Sequence, residues 1–188
     1  MTIPNQLTLL RIVFSFFLIF FLLIPGLGAK LAALVVFIAA CLTDFFDGRL
    51  AKRWGVITDF GMLMDPIADK ILVLSAFVSF VQLQLIPGWM VVVIAGREFL
   101  VTGFRLFAMG KGKVLAAERA GKLKTASQMT AISVILLFLV VDEMMGDSYS
   151  RTAAGSTWLW WLTFVAVVLT LTSGISFLWN NRRLILNL

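Results

Sequence analysis

Six stretches of the chain are apolar and long enough to form membrane-spanning helices, and short polar segments separate them. They cover residues 7–24, 31–52, 61–84, 89–109, 125–141 and 156–181. One span takes about 20 residues, and Pro25-Gly26 and Pro87-Gly88 mark two tight turns between neighbouring stretches. The pattern predicts an all-α membrane protein with six transmembrane helices in a single domain, residues 1–188.

Composition and charge agree with a protein embedded in a bilayer. The chain is 61% apolar and only 14% charged, whereas soluble domains carry about 25% charged residues. With six spans, most Lys and Arg residues fall on the side that holds both termini, and this side is therefore predicted to be cytoplasmic. The net charge of +6 is interpreted as cytoplasmic retention and contact with anionic lipid, so no nucleic-acid partner is expected.

The absence of histidine and the presence of a single cysteine narrow the possible chemistry. The chain has no histidine, which excludes Ser-His-Asp and Cys-His nucleophilic sites and the H-E-x-x-H zinc motif. Its single cysteine, Cys41, excludes an intramolecular disulfide and a thiolate metal cluster. Any reaction must rely on carboxylates, Lys and Arg, hydroxyls, the backbone or a hard metal ion.

Four aspartates form two pairs at the junction of the second and third stretches. Asp44 and Asp47 lie near the end of one, and Asp65 and Asp69 near the start of the next. Spacings of three and four residues place each pair on one helical face, with Cβ atoms about 5–6 Å apart. Oxygen ligands favour Mg²⁺, Mn²⁺ or Ca²⁺, and four carboxylates can hold one ion or bridge two.

A structural interpretation of the same aspartates is salt bridging at the membrane interface. A charge at the centre of a span costs about 2.5–3.5 kcal/mol on insertion scales, so the carboxylates need neutralising partners. Lys52, Arg53 and Lys70 are the nearby cations in the sequence. Four aspartates at matched spacing around two glycines favour the metal site over this alternative.

The segment from Asp44 to Asp69 resembles the CDP-alcohol phosphotransferase signature D-x-x-D-G-x-x-A-R-x8-G-x3-D-x3-D. The four aspartates, Gly48, Ala51 and Gly61 match in register, and Lys52 stands at the arginine position with Arg53 beside it. Residues 3–11, 97–105 and 121–125 resemble the phosphatidylglycerophosphate synthase branch of that family.

The resemblance implies a homodimeric membrane enzyme that displaces CMP from CDP-diacylglycerol with an alcohol hydroxyl. In this branch the alcohol is sn-glycerol 3-phosphate and the product is phosphatidylglycerol phosphate. The implied metal ligands for one or two Mg²⁺ or Mn²⁺ ions are Asp44, Asp47, Asp65 and Asp69, of which Asp69 is also the implied general base. The implied CDP-binding positions are Gly48, Ala51, Lys52, Arg53 and Gly61, with the phosphate contact falling to Lys52 or Arg53.

A phosphorylated acceptor needs a cationic pocket of its own. The candidates on the same predicted side as the aspartates are Arg97, Arg105, Lys122 and Lys124, and Thr8 is a candidate for a neutral hydrogen bond. Within a span, Arg97 requires an anionic partner, either a bound phosphate or Glu98. Arg105, Lys122 and Lys124 could instead serve only to retain the loop in the cytoplasm.

Two alternative functions remain open from the sequence. The acceptor could be inositol, its phosphate, serine or phosphatidylglycerol, since the signature does not specify the nucleophile. Intramembrane carboxylates also mark ion pathways, so a divalent-cation transporter is an alternative of a different class. A transporter would be expected to spread its acidic residues through the bilayer depth or to show inverted repeats, and neither pattern occurs here.

Overall fold

The described part of the chain forms a bundle of six α-helices. The computed structural model describes the backbone of residues 3–54, 59–112, 119–146 and 153–186, with side chains for 6–44, 64, 66–112, 121–146 and 157–182. The helices are α1 (Ile3–Leu23), α2 (Leu27–Trp54), α3 (Asp59–Gln82), α4 (Gly88–Gly110), α5 (Arg119–Met144) and α6 (Ala153–Leu186). The predicted six-helix order is confirmed, and the predicted boundaries differ by a few residues.

Two of the connections are tight turns at the predicted positions. Gly26, between α1 and α2, has a φ of +104°, a value that glycine adopts without steric cost. Pro87 precedes the first residue of α4 with extended backbone angles, φ −76° and ψ 141°. Short turns force α1 to pack antiparallel to α2, and α3 to α4.

Four of the helices are long and apolar enough to cross a bilayer. The qualifying segments are Gln6–Leu23, Leu27–Asp44, Gly121–Met144 and Thr157–Arg182. Helices α3 and α4 carry charged residues, including Lys70 and Arg97, within their described parts. The chain is a multi-pass membrane protein.

Apolar side chains point both into the bundle and out of it. The core is built around buried residues such as Leu18, Phe77, Met90, Ile94 and Ile132. Large apolar side chains on the outer surface, among them Phe16, Val35, Val92, Phe99 and Leu123, are 62–71% exposed. Such an exterior is unfavourable in water and favourable against lipid tails.

The two ends of the bundle differ in character. At the end that contains the start of α1, the end of α2 and the start of α3, charged residues converge and a cavity opens. At the opposite end, the Gly26 amide donates to Glu143 Oε1 at 3.1 Å, and Lys30 Nζ donates to the Leu22 and Ile24 carbonyls at 2.6 and 3.0 Å. These bonds satisfy backbone groups at helix ends. The first end, called the charged end, is therefore the candidate location of the active site.

Candidate active site

A buried arginine connects the two aspartate-bearing helices. Arg11 on α1 is only 1% exposed. Its Nη2 lies 2.9 Å from Asp44 Oδ1 on α2, and its Nη1 donates to Asp69 Oδ1 on α3. Arg11, Asp44 and Asp69, called the aspartate clamp below, bring one carboxylate of each predicted pair to a single guanidinium.

Arg11 was not among the site residues predicted from the sequence. The partners that the sequence offered as a structural alternative were Lys52, Arg53 and Lys70, yet Lys70 Nζ donates to the Pro66 carbonyl at 2.9 Å. Lys52 and Arg53 lie on α2 outside the described side chains. A signal was available, because a lone charge near the start of an apolar helix needs a partner inside the bundle.

The two remaining aspartates and the implied CDP-binding positions lie outside the described side chains. Their backbones belong to the end of α2 and the start of α3. The residues concerned are Asp47, Gly48, Ala51, Lys52, Arg53, Gly61 and Asp65. Their roles stay predictions, although the continuation of α2 to Trp54 confirms that this helix extends beyond its apolar part.

The clamp forms one wall of a cavity of about 480 Å³ at the charged end. Asp44 and Asp69 line its acidic side, from α2 and α3. The other side carries one described carboxylate, Glu98, and is basic overall because four cationic side chains from α4 and α5 surround it, namely Arg97, Arg105, Lys122 and Lys124. Residues that the sequence placed in separate metal-binding and acceptor-binding groups therefore share one cavity.

Glu98 organises two of these cations. It is 5% exposed, and its Oε1 accepts from Lys124 Nζ and from Arg97 Nη1 at 3.3 Å. Arg97 Nη2 also donates to Ser173 Oγ on α6 at 2.8 Å. In this group, called the Glu98 network, Arg97 contacts Glu98, which was one of the two alternative partners expected from the sequence, the other being a bound phosphate. The network also includes α6, which was not expected at the site.

Arg105 and Lys122 are both exposed residues that line the basic side. The Arg105 guanidinium lies 5.4 Å from the centre of the Phe177 ring, a contact that orients the cation without neutralising its charge. Thr8 differs from the prediction in position: it is fully buried on α1, one turn before Arg11, and does not line the cavity. Its role in acceptor binding stays a prediction.

The donor atoms on the acidic side suit a hard divalent cation. Asp44 and Asp69 present carboxylate oxygens to the cavity, and their side chains are 49% and 48% exposed. Among the described side chains no third carboxylate, thiol or imidazole joins them, and Asp47 and Asp65 lie outside that set. Both carboxylates supply the kind of oxygen donor that Mg²⁺ or Mn²⁺ prefers.

Known proteins with similar sequences agree on one family. The family model of CDP-alcohol phosphatidyltransferase matches residues 1–172. A CDP-diacylglycerol–glycerol-3-phosphate 3-phosphatidyltransferase of Bacillus subtilis (strain 168) is 38% identical over 95% of this chain and 94% of its own. The Rickettsia typhi protein of that name is 35% identical over 93% of this chain and 94% of its own.

A probable phosphatidylglycerophosphate synthase of Mycobacterium tuberculosis (strain H37Rv) is 41% identical over 72% of this chain and 66% of its own. The matched regions include the aspartate clamp and the basic side of the cavity, since the family model extends from α1 into α6. The chain belongs to the CDP-alcohol phosphatidyltransferase family.

Proposed function

We propose that this protein transfers the phosphatidyl group from CDP-diacylglycerol to sn-glycerol 3-phosphate, forming phosphatidylglycerol phosphate and CMP. The observation that carries the proposal is the single cavity with an acidic side and a basic side. The acidic side suits a cation-bound diphosphate, and the basic side suits a phosphorylated acceptor. The names of the relatives from Bacillus subtilis and Rickettsia typhi support the same pair of substrates.

Each side of the cavity has a distinct task in the proposed reaction. The aspartates would hold one or two Mg²⁺ or Mn²⁺ ions, which neutralise the diphosphate and the charge that develops on CMP. Arg97, Arg105 and Lys122 hold the acceptor phosphate beside the acidic side. Binding both substrates in one cavity supplies the proximity that an uncatalysed encounter between a lipid and a soluble alcohol lacks.

The bond changes are those of one displacement at phosphorus. The acceptor hydroxyl oxygen bonds to the phosphorus that carries the diacylglycerol, and the bond from that phosphorus to the oxygen of CMP breaks. The hydroxyl proton passes to a carboxylate, for which Asp69 is proposed. Asp69 already accepts from Arg11, so proton transfer requires a carboxylate oxygen oriented toward the cavity.

The charged end is proposed to face the cytoplasm in the cell membrane. Helix α1 begins at this end, and described cations between α4 and α5 and near the end of α6, such as Lys111 and Arg182, lie there too, as the positive-inside rule requires. The acyl chains of CDP-diacylglycerol can then stay in lipid while its headgroup enters the cavity. A homodimer is proposed on the basis of the family resemblance.

The decisive experiment supplies the purified protein with CDP-diacylglycerol, Mg²⁺ and one acceptor at a time, and measures CMP release. We expect the highest kcat/KM with sn-glycerol 3-phosphate among glycerol, inositol, inositol phosphate, serine and phosphatidylglycerol. Preference for another acceptor would overturn the substrate assignment within the family. Absence of CMP release with every acceptor, together with Mg²⁺ flux in vesicles, would favour a transporter.

A matched pair of variants locates the reaction in the cavity. Asp69→Asn keeps the size of the side chain and removes its charge, so we expect CMP release to fall at least about 100-fold. Glu143→Gln makes the same chemical change at the opposite end, where an amide oxygen can still accept from Gly26. Its activity should stay within about twofold of the wild type. Equal losses in both variants would contradict an active site at the charged end.

A further inference from the structure

We infer that α6 determines the position of Arg97, and through it the affinity for an anionic acceptor, by means of Ser173 and Gly174. The inference rests on the proposed function, because it assigns a positioning role to residues outside the cavity lining. Both residues lie beyond the part of the chain that the family model matches, residues 1–172. Ser173 and Gly174 are buried where α6 packs against Arg97.

Ser173 provides a polar contact that orients the guanidinium. Its Oγ accepts a hydrogen bond from Arg97 Nη2 at 2.8 Å, and Ser173 is only 1% exposed. Arg97 Nη1 has a longer contact, 3.3 Å, with Glu98 Oε1, and Arg97 Nε has no hydrogen-bond partner among the described residues. The shorter of the two polar contacts is therefore the one from α6.

Gly174 provides the space through which the Arg97 side chain passes. A Cβ atom at this position would lie 3.0 Å from Arg97 Cγ and 3.7 Å from its Nε. Because Cγ is near the base of the arginine, a flexible tip cannot relieve such a contact. The arginine stem or α6 must shift by a few tenths of an ångström, and either shift displaces the guanidinium.

Glu98 does not provide a substitute for these contacts. Its Oε1 is shared between Arg97 and Lys124, so it neutralises charge in the network without selecting one direction for the arginine. Among the described cavity cations, Ser173 and Gly174 are adjacent to Arg97: Ser173 accepts a hydrogen bond from its Nη2, and Gly174 leaves the space that its stem occupies. They are positioning residues, since neither lines the cavity.

The test measures KM for each substrate separately with Gly174→Ala and Ser173→Ala. We expect each variant to raise KM for sn-glycerol 3-phosphate about five- to tenfold, the change that accompanies weakening of one hydrogen bond to a charged group. KM for CDP-diacylglycerol should stay within about twofold. Ser173→Ala only removes an oxygen atom, so it keeps the test informative where Gly174→Ala fails to fold.

The control on the same helix is Thr172→Ala. Thr172 is exposed, and its hydroxyl donates to the Val168 and Leu169 carbonyls of its own helix at 3.0 and 3.1 Å. The Thr172→Ala variant should leave the KM values for both substrates unchanged. A rise in the acceptor KM equal to that of Ser173→Ala would indicate a general effect of α6 and would overturn the inference.

A double-mutant cycle separates positioning of Arg97 from simple packing. If Gly174 acts through Arg97, then Gly174→Ala should have no further effect on the acceptor KM in an Arg97→Ala background. Additive effects, or an unchanged acceptor KM in the single variants, would overturn the inference. Failure of the wild type to release CMP with sn-glycerol 3-phosphate would instead refute the proposed function, so the two failures are distinguishable.

Discussion

At the scale of single residues, the charged end shows how opposite charges are brought together inside an apolar bundle. Arg11 is buried, and it contacts carboxylates that belong to two other helices. Without it, Asp44 and Asp69 would face each other as like charges in a partly desolvated position. The arginine therefore holds the two carboxylates in place.

Arg11→Gln should lower the thermal stability of the protein, and addition of Mg²⁺ should restore part of it. Removing one partner of a buried ion pair costs about 3–5 kcal/mol, and the half-exposed carboxylates reduce this to about 1–3 kcal/mol through solvent screening. The measurement is the unfolding midpoint in detergent with and without Mg²⁺. The Mg²⁺-induced increase should be larger in the variant than in the wild type.

Arg182→Gln is the matched control for that experiment. Arg182 is exposed and stacks over the Trp179 ring at 4.4 Å, so its replacement should leave both the midpoint and the Mg²⁺ response close to wild type. An Arg11→Gln midpoint that falls by the same amount with and without Mg²⁺ would show that Arg11 stabilises the helices alone and does not substitute for the cation.

Arg105→Ala should raise KM for the acceptor more than KM for CDP-diacylglycerol. The substitution removes one of the exposed cations on the basic side. For a lost contact to phosphate we expect the acceptor KM to increase about tenfold. Lys111→Ala is a suitable control: it is an exposed cation near the same end of α4, with a comparable ring contact to Phe107 at 4.9 Å, and it does not line the cavity. Similar effects in both variants would exclude a specific role for Arg105.

At the scale of helices, polar side chains connect α5 and α6 inside the membrane-spanning part. Gln128 Nε2 donates to Thr170 Oγ1 at 2.9 Å, and both residues are almost fully buried. Thr170 Oγ1 in turn donates to the Ala166 carbonyl at 2.6 Å. This contact lies one helical turn before Ser173, so it supports the part of α6 that holds Arg97.

Thr170→Val should weaken the packing of α5 against α6. Valine keeps the shape of threonine and leaves Gln128 without its acceptor, at a cost of about 0.5–2 kcal/mol for an interhelical bond in a membrane. The unfolding midpoint should fall, whereas Thr172→Val, whose hydroxyl bonds only to its own helix, should leave it unchanged. Equal midpoints for the two variants would show that the Gln128 contact contributes no stability.

At the scale of the whole molecule, function depends on both polar ends and an apolar exterior. The charged end contains the cavity and its cations. At the opposite end, Glu143 and Lys30 form hydrogen bonds to backbone groups at the helix termini. Since the exterior between them is apolar, the protein must lie across a bilayer with the cavity at one surface. A water-soluble acceptor can then reach the cavity only from that side.

Cysteine labelling tests this orientation. In a Cys41→Ser background, Lys111→Cys at the end of α4 and Met145→Cys just after α5 place single thiols at exposed positions. A membrane-impermeant maleimide should label the first from the cytoplasmic side and the second from the opposite side. Labelling of both from one side would contradict a membrane-crossing α5.

The residues of the site could be predicted to different extents. The pattern Asp44 to Asp69 predicted that carboxylates of two neighbouring helices would come together, and Asp44 and Asp69 do meet at one guanidinium. Whether each pair shares a helical face stays a prediction, because Asp47 and Asp65 lie outside the described side chains. The partner of those carboxylates could not be derived in the same way, since Arg11 is distant in the chain and meets them only after α1 packs on α2 and α3. Ser173 and Gly174 carried no local signal, because an apolar helix with scattered small residues is common in membranes.

The helices and their order were determined by the sequence itself, because apolar runs of sufficient length in a bilayer must become helices to satisfy their backbone groups. The residue types available for chemistry also followed from composition, whereas the side of the membrane stays a prediction from the pattern of Lys and Arg. Only the tertiary structure decided which charges meet. The aspartate clamp, the Glu98 network and the shared cavity depend on helix rotation and crossing, which arise from packing among residues far apart in the chain.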